Sequence, residues 1–120
     1  MTDPDIVIME DDEDLGQMVL AILSRARHRS VHFATTPPFR EFIDQHQPRL
    51  IIMDMLLSGA DGREICQELK KNDQTRGIKI LLMSAHPDAE NSCLKAGADS
   101  FLQKPFNIED LRRRVQELLS

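Results

Sequence analysis

Residues 50–54 read Leu50-Ile51-Ile52-Met53-Asp54, four apolar side chains in a row closed by an acid. A run this short and this continuous suits a strand covered on both faces, as in a parallel sheet. The pattern recurs on either side. Ile6-Val7-Ile8-Met9 ends in Glu10, and Ile80-Leu81-Leu82-Met83 ends in Ser84. Val31-His32-Phe33-Ala34 and Ser100-Phe101-Leu102-Gln103 are weaker candidates of edge character.

Helical patterns lie between these runs. Leu15, Met18, Val19, Ile22 and Leu23 fall on one helical face, and Phe39, Phe42 and Ile43 mark a short second helix opened by Pro37-Pro38. Asp61 and Glu64 have the spacing of a capping box before Ile65 and Leu69. Asp88 is placed to cap a fourth helix ending near Gly97. Asn107 is placed to cap a fifth, with Ile108, Leu111, Val115 and Leu118 on its buried side. Five strand-then-helix units with right-handed crossovers give an α/β fold, a three-layer α/β/α sandwich. The simplest five-stranded parallel order is the flavodoxin-like 2-1-3-4-5, since a closed barrel needs about eight such units.

The 120 residues are one domain's worth, read as a single unit over 1–120 and too short to add a sizeable output domain. The last helical pattern stops just before Ser120, where a linker to another domain would begin. A net charge of −5 argues against a general nucleic-acid or membrane surface. No apolar run nears the ~20 residues of a membrane span. Met1-Thr2-Asp3-Pro4-Asp5 lacks the basic start and apolar stretch of a secretory leader, which makes the cytoplasm the expected compartment. Cys66 and Cys93 have no metal-type spacing and are read as free thiols there. His28, His32, His46 and His86 likewise show no ligand spacing. Lys70-Lys71 reads as a charge pair at a helix C-terminus, and Arg112-Arg113-Arg114 as the solvated side of the last helix.

In an open parallel sheet ligands bind at the carboxyl ends of the strands. Those ends carry Glu10-Asp11-Asp12-Glu13-Asp14, Asp54, Ser84-Ala85 and Lys104-Pro105. With the first and third strands adjacent, Asp11, Asp12 and Asp54 crowd together. Clustered carboxylates repel unless something positive joins them. A hard divalent cation such as Mg2+ and the ammonium of Lys104 both serve. The set matches what phosphoryl transfer to a carboxylate requires: a nucleophile in Asp54, cations for the phosphoryl oxygens, and a small hydroxyl in Ser84.

Taken in order along the chain, Met9-Glu10-Asp11-Asp12, Asp54, Gly59-Ala60-Asp61-Gly62, Met83-Ser84-Ala85, Gly97-Ala98-Asp99-Ser100-Phe101 and Lys104-Pro105-Phe106 resemble the receiver domains of two-component response regulators, which have the CheY-like fold. The resemblance implies that Asp54 is the phosphoacceptor and that Glu10, Asp11, Asp54 and the backbone carbonyl of Leu56 hold Mg2+. It makes Ser84 the switch hydroxyl, Phe101 the aromatic whose rotamer follows the switch, and Lys104 the lysine of the phosphate site. It also implies a cis bond between Lys104 and Pro105. Asp12 is left as a second acid near the metal, an alternative ligand to Glu10, or a helix cap. The implied partners are a histidine kinase or phosphotransfer protein, and an output domain or protein reached through the fourth helix, fifth strand and fifth helix. A phosphorylation-dependent dimer is the oligomer it allows.

Ser58 departs from the family, which often has proline there. Leu56 and His86 stand where family members tune the lifetime of the phosphoryl group. Two other classes compete with a switch. An aspartyl-nucleophile phosphatase generally has a second Asp two residues on, where this chain has Leu56. An interaction module that is never phosphorylated has no use for the complete site.

Overall fold

The computed structural model describes residues 3–120, so Met1 and Thr2, at the head of the expected 1–120 domain and of the stretch read for a leader, lie outside the described residues. In chain order the main elements are β1 (Ile6–Met9), α1 (Glu13–Arg25), β2 (Ser30–Phe33), α2 (Thr36–Gln45), β3 (Leu50–Asp54), α3 (Gly62–Lys71), β4 (Lys79–Ser84), α4 (Ala89–Lys95), β5 (Ser100–Gln103) and α5 (Ile108–Leu119). The five strands form one parallel sheet in the order β2-β1-β3-β4-β5, as expected. Met9 pairs with Phe33 on one side and Met53 on the other, which aligns the carboxyl ends of β1 and β3.

The continuous apolar runs exist because both faces of the sheet are covered. Side chains alternate across a strand. Val7, Met9, Ile51, Met53, Ile80, Leu82 and Phe101 pack with residues of α2, α3 and α4. Ile6, Ile8, Leu50, Ile52, Leu81, Met83 and Leu102 pack with α1 and α5. Both cysteines are free and buried in the first of these layers, and desolvation pushes the Cys66 thiol up to about 11.

Several local expectations are corrected. Met18 and Ile108, placed on buried helical faces by periodicity, are 46% and 53% exposed. Met18 lies beside the buried stripe of Val19, Ile22 and Leu23 on α1, and Ile108 is the first residue of α5. Asp61 does cap α3, but its carboxylate accepts from the Arg63 N–H and binds the Arg63 guanidinium, so its partner is Arg63 rather than Glu64. Asp88 precedes α4 without a side-chain cap bond; its own N–H donates to His86 Nδ1. Lys70 does fall in the last turn of α3, as expected. Its ammonium donates to Asp99 and to the Ile78 carbonyl, both at 2.8 Å. An unforeseen element follows β3: Leu56–Leu57 pairs antiparallel with Ala60–Asp61 around Gly59. Among the described residues no helix is long and apolar enough to cross a membrane.

Candidate phosphoacceptor site

The sheet ends β1, β3, β4 and β5 on one rim, and the loops that leave them carry the expected polar residues. Glu10 follows β1 directly, and its N–H donates to the Phe33 carbonyl, which holds it in register with the sheet. Its side chain is only 1% exposed. Asp54 is the last residue of β3 and is also buried. The backbone just beyond is tight. Met55 donates to the Met83 carbonyl at 2.7 Å, and Gly62 donates to the Met55 carbonyl at 2.6 Å. A Cβ at Gly62 would collide with the Asp54 carbonyl oxygen, so only glycine fits there.

Lys104 reaches the acids from the end of β5. Its Nζ lies 2.7 Å from Asp54 Oδ1 and 2.8 Å from Glu10 Oε1. The peptide bond from Lys104 to Pro105 is cis, as expected. Glu10, Asp11 and Asp54 each offer an oxygen within 4.8 Å of the others. Fully ionised, the three acids exceed the one lysine by two negative charges. Burial, opposed by the Lys104 ammonium, holds the carboxyls of Glu10 and Asp54 above the usual carboxylate range. Burial alone would lower Lys104, but its bonds to Asp54 and Glu10 outweigh that and raise it. An all-oxygen donor set with uncompensated negative charge suits a hard dication such as Mg2+.

The acids after β1 separate by role. Asp12 is the N-cap of α1, accepting from the Leu15 N–H at 3.1 Å, and it is not in the three-acid cluster. Asp11 faces the loop after β3. Its Oδ2 accepts from both the N–H and the hydroxyl of Ser58, at 2.9 and 2.8 Å. Burial works to raise the Asp11 carboxyl, but these two Ser58 donors bring it below its ordinary range. Ser58 stands where the family often has proline. That its backbone N–H, absent from proline, would reach an acid 47 residues away depended on the fold.

Ser84 ends β4, is buried, and its Oγ accepts from the His86 N–H at 3.0 Å. That bond leaves the hydroxyl proton available as a donor. An open depression of about 430 Å³ runs over Asp54 and is lined by Leu56, Ser84, Ala85, His86, Pro87 and Lys104. The Leu56 side chain is 61% exposed at its edge. Phe101 does not line this depression. It lies buried in the layer that holds Ala89 and Cys93 of α4. The rim therefore gathers Glu10, Asp11, Asp54 and Lys104, with Ser84 and Leu56 around the opening and Phe101 in the core behind.

Comparison with known proteins agrees with this fold. The sequence profile described as "Response regulator receiver domain" matches residues 6–116. The chain is 30% identical to the dual master transcriptional regulator RpaA of Synechocystis over 97% of this chain and 49% of RpaA. It is 28% identical to the phosphate regulon regulator PhoB of Pseudomonas aeruginosa over 95% of this chain and 51% of PhoB. It thus spans about half the length of the curated relatives it matches. A putative response regulator from Chloroflexus aurantiacus superposes with a TM-score of 0.89 at 28% identity, covering 98% of both chains. The receiver domain of NtrX from Brucella abortus gives 0.88 at 28% identity, over 96% of this chain and 98% of that one. By fold, rim and sequence, this chain belongs to the response-regulator receiver domains of two-component systems.

Proposed function

We propose that residues 1–120 form a phosphorylation switch that accepts a phosphoryl group on Asp54. One observation carries the reading: Lys104 bridges two buried carboxylates, Glu10 and Asp54, at the carboxyl rim of the sheet, with a third acid beside them. A lysine that only neutralised charge would need one acid. This one sits among three, and the excess suits a cation and then a phosphoryl group.

In this account Asp54 attacks the phosphorus of a phosphohistidine on a histidine kinase or phosphotransfer protein. An O–P bond forms as the P–N bond breaks, and the electron pair leaves on the imidazole, which takes a proton from water. Glu10, Asp11, Asp54 and the Leu56 carbonyl would hold Mg2+, which when bound supplies positive charge to the phosphoryl oxygens. Lys104 supplies the second positive charge from its present position. The Ser84 hydroxyl proton, unused in its bond with His86, is directed to a phosphoryl oxygen as the loop after β4 closes. Loss of the group reverses the balance: water attacks phosphorus, the O–P bond breaks, and Asp54 returns as a carboxylate.

The readout is a two-state equilibrium biased by local charge. Phe101 is already buried here, so phosphorylation acts by changing how much of the population keeps it so. The surface of α4, β5 and α5 carries the change to an output domain or protein, and a dimer formed on phosphorylation uses the same surface. The domain assists its own phosphorylation and dephosphorylation without being an enzyme for another substrate. It works in the cytoplasm and makes no direct nucleic-acid contact of its own. Leu56, two residues beyond Asp54, brings no general acid, which speaks against a phosphatase.

Intact-mass spectrometry after treatment with acetyl phosphate and Mg2+ tests the assignment. The wild-type chain gains one phosphoryl group and Asp54→Asn gains none. Equal gain by both proteins would remove Asp54 from the role.

A further inference from the structure

The edge strand β2 and its neighbour β1 end on the same rung, Phe33 opposite Met9. The Glu10 N–H donates to the Phe33 carbonyl, so a continuing parallel ladder would return a bond from the Thr35 N–H to the Glu10 carbonyl. Thr35 instead stands at the N-cap of α2, and no such rung forms among the described residues. The Glu10 carbonyl is met by a side chain. Nε2 of His32 lies 2.8 Å from it. A carbonyl only accepts, so Nε2 carries the proton. Nδ1 of the same ring lies 3.1 Å from the Gln17 amide nitrogen, which donates to it and holds that tautomer. The ring lies flush on α1 at Gly16: a Cβ there would occupy the position of the imidazole. Three residues on two elements thus converge on one backbone oxygen, and that oxygen belongs to the most buried acid of the site.

We infer that His32 is a positioning residue for the acid pair Glu10–Asp11, its ring replacing the missing sheet rung while Gly16 makes room for it and Gln17 fixes its tautomer. The inference rests on the reading that these acids hold Mg2+. Fixing the carbonyl of Glu10 fixes the peptide plane that joins Glu10 to Asp11. The turn from sheet to helix then presents both carboxylates without an ordering cost when the cation arrives. A ligand whose support is removed binds more weakly, although its own atoms are unchanged.

Isothermal titration with Mg2+ on the whole chain, together with 15N spectra of the His32 ring, tests this. The spectra should show a protonated Nε2 and an unprotonated Nδ1. His32→Leu should weaken Mg2+ about fivefold, the scale of one neutral hydrogen bond. His32→Gln, whose amide nitrogen sits as many bonds from Cα as Nε2 does, should restore most of the affinity. Gly16→Ala should weaken binding in the wild-type background and do nothing further in His32→Leu, because the ring it displaces is already gone. Unchanged Mg2+ affinity in His32→Leu, with Asp11→Ala losing it, would overturn the positioning role and leave the metal site standing. Wild-type protein that binds no Mg2+, or Asp11→Ala that binds it normally, would overturn the metal reading and the inference with it. A ring protonated on Nδ1 alone would overturn the geometry directly.

Discussion

Two lysine–carboxylate clasps hold loops to opposite rims of this sheet, and they differ in charge balance. At the amino rim, Lys70 meets one acid, Asp99, and spends its remaining donors on the carbonyls of Ile78 and Arg76. Asp99 returns a bond to the sheet by accepting from the Ile80 N–H at 2.8 Å. Every charge there has a partner. At the carboxyl rim, Lys104 meets two buried acids with a third nearby. A balanced clasp ties chain segments together. An unbalanced one of similar geometry holds negative charge that folding alone leaves uncompensated, and such a place is suited to binding something positive.

Substitutions at four positions press on that contrast. The largest effect is expected from Lys104→Met, which leaves Glu10 and Asp54 buried with no cation. Without Mg2+ it should cost about 2–3 kcal/mol in chemical denaturation, and saturating Mg2+ should recover more of that loss than it adds to the wild type. Equal Mg2+ effects on both would mean the deficit is compensated elsewhere. Next is Asp99→Asn, which breaks a matched pair and should cost about 1–2 kcal/mol. Mg2+ should not rescue it.

The third change has the opposite sign. Asp54 is held above its ordinary value mainly by burial, so the folded state binds its proton more readily than the unfolded chain does. That preference makes stability fall as pH rises from the ordinary carboxylate range through the raised folded value. Asp54→Asn mimics the protonated form. Without Mg2+ it should therefore match the wild type below the unperturbed range. It should become more stable than the wild type once pH passes the folded value. Denaturation curves at a series of pH values read this difference, and a destabilised Asp54→Asn at neutral pH would place Asp54 with Asp99 as a structural acid. The smallest effect is at Ser58. Ser58→Pro removes both donors to Asp11 and Ser58→Ala removes only the hydroxyl. The Asp11 carboxyl should rise toward its ordinary value, more in the proline variant, as read by 13C titration. Stability should change by under about 1 kcal/mol because these bonds are open to water.

The contrast also explains what could be read from the sequence. The strands were legible because burial on both faces leaves an uninterrupted apolar run, and a parallel sheet places the run ends on one rim. Glu10, Asp54, Ser84 and Lys104 were visible as the residues that close those runs. Lys70 was not, because a lysine in the last turn of a helix has the same sequence whether it faces water or spans to Asp99, 29 residues on. The same blindness hid Ser58 on Asp11 and His32 on Glu10, since both contacts join segments whose adjacency only the fold creates. Met18 and Ile108 show the converse error. Period 3.6 gives the direction of a side chain but not how far the neighbouring layer extends over it.

The central claim is that the excess of acid at the carboxyl rim exists to take a cation and then a phosphoryl group on Asp54. Borohydride reduction of the chain after acetyl phosphate treatment, followed by peptide mapping, tests it most directly, because reduction marks the residue that carried an acyl phosphate. The account predicts a single mark at position 54 that depends on Mg2+. A mark on another acid, or equal marking of Asp54 when Mg2+ is chelated, would contradict it.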